Sequence, residues 1–176
     1  GTGEKEVQEG DNKFSITVTS ETGKSKVYSV NVVVKDINPI VKEIDGKKYT
    51  VVKRASALTK PEFFEETTVK INDLDIPAFL NEKTKITLIG LKDEEGKIVL
   101  YRYDSSKDSL EKYESLTSVS KTIIFENTSE EIKDFKKTKV TINEMEYSAY
   151  QMSTNKDYVL IYGRDIETGT KGWYLY

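Results

Sequence analysis

The sequence predicts a mainly β, β-rich α+β fold: two pseudo-symmetric β repeats with short helices, preceded by a β-hairpin. Three observations predict it. The chain repeats itself: FEETTVKINDLDIPAF (Phe64 to Phe79) aligns without a gap on FKKTKVTINEMEYSAY (Phe135 to Tyr150). ITLIGLKDEEGKIVLYRY (Ile86 to Tyr103) aligns on YVLIYGRDIETGTKGWYLY (Tyr158 to Tyr176), with slips near Asn155 and in the turn. Most segments alternate apolar and polar residues with the period of a strand, and glycine with aspartate punctuates them. Repeated sequence implies a repeated supersecondary unit.

The elements follow in order. Residues 13–20 place Phe14, Ile16 and Val18 on one side, and residues 25–35 place Tyr28, Val30, Val32 and Val34 on one face. Between them Glu21-Thr22-Gly23-Lys24 supplies a glycine turn, which makes a β-hairpin. Asp36-Ile37-Asn38-Pro39 breaks the pattern, because proline lacks a donor and disfavours helix before it. Residues 1–38 therefore read as hairpin and linker, and 39–176 as a second, β-rich domain with repeats at about 59–104 and 128–176. Asp45-Gly46 marks a tight hairpin within residues 44–54.

Thr59-Lys60-Pro61-Glu62 carries a helix-cap pattern with proline in the first turn. It predicts a short helix over residues 60–66, with Leu58 stapled on Phe63. Thr128 with Glu131 predicts its counterpart, ending near Phe135. Each repeat then offers a strand (68–72; 139–143), a polar turn, a second strand (76–80; 147–152) and a hairpin (85–92 with 97–104; 157–164 with 171–176). The hairpin turns, Asp93 to Gly96 and Asp165 to Gly169, pair a positive-φ glycine with an aspartate that bonds its own backbone. Residues 104–121 read as a polar connector.

Composition excludes much chemistry. There is no cysteine and no histidine. That removes disulfides, thiolate nucleophiles, the commonest general base and the commonest metal ligand. Lys plus Arg is 27 against Asp plus Glu 30, a net charge of −3, so no basic excess marks a nucleic-acid partner. No apolar run reaches the roughly 20 residues of a membrane span. Both ends read as cut, so a signal or anchor is expected to lie outside this chain.

Few residues remain as site candidates. Asp73 with Asp75, and Glu144 with Glu146, stand two apart in matching turns. They can bind a cation or act as acid and base, but solvated turn charge is the better explanation and is preferred. Lys53 and Arg54 form no evident cluster. Asn127-Thr128-Ser129 has glycosylation spacing and also reads as a cap, the reading preferred here. No catalytic residue, metal site or cofactor is expected. The aromatics are more informative: 11 Tyr, 6 Phe and a single Trp. Rings fill β cores, and they also stack on sugars or peptides. Tyr101 and Tyr103 recur as Tyr174 and Tyr176, whereas Trp173 falls opposite Leu100 and breaks the repeat. Trp173, Tyr162 and Tyr101 are the candidate ligand-binding residues.

Residues 10–32 resemble the C-terminal end of the bacterial cadherin-like β-sandwich domain. The resemblance rests on Asn12, the Thr19 to Gly23 turn and Tyr28 opening the last strand, and it covers about 36 residues. The downstream domain, ending in Gly172-Trp173-Tyr174-Leu175-Tyr176, resembles an uncharacterised module of clostridial surface proteins. The resemblance implies an extracellular, cell-surface protein of a Gram-positive bacterium. The expected function is a non-catalytic binding or adhesion module whose partner is a glycan or cell-wall polymer. The alternatives are a structural spacer or stalk without ligand, and a carboxylate-pair hydrolase. The hairpin's open edges imply strand-mediated self-association.

Overall fold

The computed structural model describes residues 3–117, 121–142 and 145–176. The protein is mainly β and its sheets are antiparallel. Its strands are β1 (Gly10–Thr19), β2 (Ser25–Val34), β3 (Val41–Ile44), β4 (Lys47–Val51), β5 (Glu65–Ile71), β6 (Leu74–Asn81), β7 (Ile86–Lys92) and β8 (Ile98–Asp104). They continue as β9 (Ser109–Lys112), β10 (Ser115–Thr117), β11 (Thr122–Phe125), β12 (Phe135–Ile142), β13 (Met145–Met152), β14 (Asn155–Asp165) and β15 (Lys171–Leu175).

Strands β1 and β2 form a two-stranded sheet. A second sheet runs β3-β4-β7-β6-β5, with β8 on β7 and β9 on β8. A third runs β10-β11-β14-β13-β12, with β15 on β14. The second order becomes the third when seven is added to each strand number; only β9 has no counterpart. In the third sheet β14 is shared along its length. Tyr150 of β13 pairs with Leu160, Phe125 of β11 pairs with Gly163, and β15 lines the other edge from Leu160 to Arg164. Gly163 permits that crossing: a Cβ there would sit 2.4 Å from Ile123 Cγ2 and 2.8 Å from the Ile124 carbonyl oxygen.

Contacts divide the chain into two compact units. The first is Gly1–Thr59, Val69–Pro77 and Gly90–Val99; the second is Lys60–Thr68, Ala78–Ile89 and Leu100–Tyr176. In the first, Val51, Ile76 and Leu91 are buried, and Leu58 lies over Gly90. The hairpin hangs on this unit through its base. Arg54 Nη1 donates to the carbonyl oxygens of Asp11 (2.7 Å) and Glu9 (3.3 Å). Lys53 Nζ bonds Asp36 (3.0 Å) and the Asn38 carbonyl (2.6 Å). Burial raises the Asp36 pKa, but the bonds from Lys53 and the Asn38 amide outweigh it and hold the carboxyl below the usual range. Beyond that base the hairpin is bare: Ile16, Val18, Tyr28, Val30 and Val32 share one exposed apolar face.

In the second unit Leu88, Ile89, Phe64, Ile124 and Ile166 are fully buried. Asn81 knits it together. Its amide donates to the carbonyls of Phe63 (2.7 Å) and Ile166 (3.1 Å), and its Oδ1 accepts from the Lys83 and Thr84 amides. One face of β12 to β14 packs around Ile142, Ala149 and Ile161, with Val140, Val159 and Phe125 against them. Tyr147 stacks on Phe125 there, and burial followed by its bond to Glu114 pushes its hydroxyl up to about 12.

The short helices are corrected to turns. Phe64 N–H bonds the Pro61 carbonyl with Phe63 at φ 66°, and Phe135 N–H bonds the Ile132 carbonyl with Asp134 at φ 69°. A helix this short is costly to nucleate, and a turn seats Phe64 in the core at 1% exposure. Phe63 is exposed, so the staple with Leu58 does not form. Among the described residues the helical segment is one 3₁₀ turn, Ala55–Ala57. The connector over 104–121 carries β9 and β10, and its residues 118–120 lie outside the described residues. The glycine turns match expectation: Asp93 Oδ1 accepts from the Lys97 amide, and Asp165 Oδ1 from the Glu167 and Thr168 amides. Among the described residues no helix is long and apolar enough to cross a membrane.

Candidate functional site: an aromatic face that ends in a cation cluster

The other face of β14 and β15 carries the site. Residues two apart on a strand share a face, and directly opposed residues of an antiparallel pair do too. Tyr158, Leu160, Tyr162 and Arg164 therefore line one side of β14. Opposite Leu160, Tyr162 and Arg164 stand Leu175, Trp173 and Lys171 of β15. Tyr150 of β13 joins that face opposite Leu160, where a register shift separates it from Met152.

The rings meet. Trp173 stands edge-to-face on Tyr150 (centroids 5.0 Å, 84°) and on Tyr162 (5.0 Å, 61°). Such pairs contribute roughly 1 kcal/mol beyond their area. Tyr150 is the buried floor, its hydroxyl bonded to the Glu130 carbonyl at 3.0 Å and Lys137 Nζ 5.9 Å above its ring. Trp173 and Tyr162 are half-buried, Tyr158 is 53% exposed and Leu175 67% exposed. The surface is stepped. Rings at 61° and 84° to one another leave a flat ligand room to lie on one ring at a time, not on a coplanar platform. Of the three residues singled out by sequence, the structure brings Trp173 and Tyr162 into contact. Tyr101 lies on β8 in the other large sheet and is buried, 5% exposed.

At its Arg164 end the aromatic row runs into charge. Glu126, whose amide bonds the Tyr162 carbonyl, faces three cations: Arg164 Nε (3.1 Å), Lys171 Nζ (3.3 Å) and Arg102 (3.7 Å). The first contact is close but poorly aligned for hydrogen bonding, so Glu126 Oε1 and Arg164 Nε are both buried without a well-formed hydrogen bond between them. Arg164 is steadied elsewhere: its Nη1 donates to the Thr84 carbonyl at 2.7 Å. Arg102 and Arg164 also line a polar cleft of about 480 Å³ with Thr84, Lys107 and Glu111. Sequence reading missed Arg102, Glu126 and Lys171, because residues from β8, the segment after β11 and β15 converge only through pairing. The one available signal was Arg164 and Lys171 flanking the turn of an aromatic hairpin.

The carboxylate candidates stay apart from this site. Asp75 pairs with Lys70 at 3.0 Å, and Glu146 pairs with Lys139, all exposed. Asn72 and Asp73 both take positive φ, as a tight hairpin turn requires. Glu144 and Asn143 lie outside the described residues. Among the described residues no group of three acidic side chains is placed to hold a metal. Every resolved shift also moves a group further into the form it already holds at neutral pH. Asp36, Asp104 and Asp165 are lowered, Lys121 is raised, and Tyr103, Tyr113 and Tyr147 are raised. Comparisons with protein-family models, with curated proteins and with solved structures find no match to this chain.

Proposed function

We propose that the protein is a non-catalytic binding module that takes a carbohydrate polymer on the β14–β15 aromatic face. The observation that carries this is the open row of Tyr158, Tyr162, Trp173 and Leu175, beside fixed polar groups. Half-exposed rings next to hydrogen-bonding side chains suit the apolar face and hydroxyl rim of a sugar. Pairing of the exposed turn carboxylates Asp75 and Glu146 with lysines, away from this face, supports a site without acid–base chemistry. The cadherin-like residues 10–32 support placing the module on a bacterial cell surface with a glycan or cell-wall polymer as partner. The common strand order supports reading β3–β8 and β10–β15 as two copies of one unit.

The test uses the lone tryptophan as its own reporter. A screen of glycans and cell-wall polymers by Trp173 emission and calorimetry should find a ligand, and Trp173→Ala should remove about tenfold or more of the affinity, the order expected for a central aromatic anchor. No ligand across the screen would favour the spacer reading. One observation already leans that way: Tyr101 and Tyr150 are packed inside.

A further inference from the structure

We infer that the polymer is acidic: a chain of sugar rings bearing carboxylate groups, read by the aromatic row and the cation cluster together. This rests on the binding role proposed for the aromatic face. The charge balance carries it. The protein as a whole is net negative at −3. Yet the cleft beyond Arg164 sets four cations, Lys85, Arg102, Lys107 and Arg164, against two carboxylates, Asp104 and Glu111. Lys171 and Glu126 extend it to five against three, and Glu82, the partner of Lys85, brings it to five against four, still a positive balance. Local positive charge in an acidic protein is the complement of an anionic ligand.

Pairing inside the cluster takes up part of that charge, since Lys85 pairs with Glu82 and Lys107 with Asp104 at 3.5 Å, and leaves Arg102, Arg164 and Lys171 around Glu126. Glu126 is one carboxylate among three cations. Arg102, 25% exposed, reaches its carboxylates Glu126 and Glu111 only at 3.7 and 3.8 Å, beyond hydrogen-bond range. Its fork of donors is therefore open to a bidentate carboxylate. Lys171 is 47% exposed. Geometry joins the two halves of the site: Arg164 and Lys171 each follow a ring of the aromatic row on the same face, two residues along their strands. One sugar on Trp173 and its charged neighbour at Arg102 and Lys171 is the arrangement this predicts.

Three probes test it against the wild-type chain: oligogalacturonate, the same oligomer fully methyl-esterified, and polyphosphate. Binding is read by calorimetry and Trp173 emission at low and high salt. The acid should bind about tenfold more tightly than the ester, the worth of one or two charge-assisted bonds. Salt should narrow that gap. In Arg102→Gln and Lys171→Gln the acid-to-ester ratio should fall toward one; both side chains reach solvent, and unchanged thermal melts confirm folding. Equal binding of acid and ester overturns the acidic preference and leaves the aromatic role standing. Polyphosphate binding as tightly as the acid, with Trp173→Ala silent, overturns the aromatic role as well. Absence of binding by all three overturns both.

Discussion

Strands β7 and β14 occupy the same place in their sheets, and their surfaces differ in one respect. Strand β7 is buried on both faces: Ile89 and Leu91 on one, Ile86 and Leu88 on the other, all at 5% exposure or less. Strand β14 buries Ile161 at 2% on the first face. On the second, the aligned Tyr158 and Leu160 are exposed and half-exposed, and Gly90 is matched by Tyr162. The floor is the same in both, Phe79 and Tyr150 at 4% each. A face that serves as core in one set of strands is thus left open and furnished with rings in the other. On the proposed reading the binding surface is an inner face left uncovered, which is why its residues read like core residues.

The difference can be broken by mutation, and the largest effect should come from the face itself. Leu88→Ala should cost about 3–4 kcal/mol in chemical denaturation, whereas Leu160→Ala should cost about 1. Similar costs at both positions would mean that the β14 face is covered in solution.

Glycine at the strand crossing comes next. Gly163→Ala should cost about 3 kcal/mol, because the added methyl meets a backbone carbonyl that cannot retreat. Gly90→Ala should cost about 1, since the nearest atom, Leu58 Cδ2 at 2.3 Å, ends a flexible side chain. Equal penalties would show that the β14 crossing is looser than described.

A smaller effect separates the two hairpin turns. Asp165 is 4% exposed and accepts from Lys121 Nζ at 2.9 Å; that bond, against the cost of burial, holds its carboxyl below the usual range. A folded value below the unfolded one, about 3.9, means the stabilisation is complete above that pH and is lost as acid carries the pH through the folded value. Asp165→Asn keeps both backbone bonds and loses the charge. It should cost about 1 kcal/mol at pH 7 and flatten the acid side of a melting profile. A profile unchanged by the substitution would show that Lys121 contributes nothing.

The smallest effect lies at the hairpin. Arg54→Ala should change global stability by less than about 1 kcal/mol, yet it should speed amide exchange in β1 and β2, whose base it ties. Unchanged exchange would mean that the Lys53 contacts suffice.

Much of the fold could be read from the chain because its cues are local. Alternation at Phe14, Ile16 and Val18 placed β1, and Asp45-Gly46 placed the β3–β4 turn, where both residues take positive φ. Asp93 and Asp165 cap their turns by the mechanism their spacing implies. The helical cap pattern at Thr59 misled because serine, threonine and aspartate stabilise turns by the same side-chain bonds that cap helices. Lys53 and Arg54 looked idle for a different reason: their partners at Asp36, Asn38 and Asp11 are far off in sequence. The same holds for Arg102, Glu126 and Lys171, which only strand pairing gathers. Trp173 was legible by the break it makes in the repeat, while its edge-on contacts with Tyr150 and Tyr162 required the register of three strands.

Acrylamide quenching of Trp173, with and without saturating oligogalacturonate, tests most directly whether this open inner face is the binding surface. Intermediate quenching in the free protein, falling sharply with a shift in emission when the oligomer binds, is the predicted result. Trp173 inaccessible from the start, or binding by calorimetry that leaves its emission and quenching untouched, would contradict it.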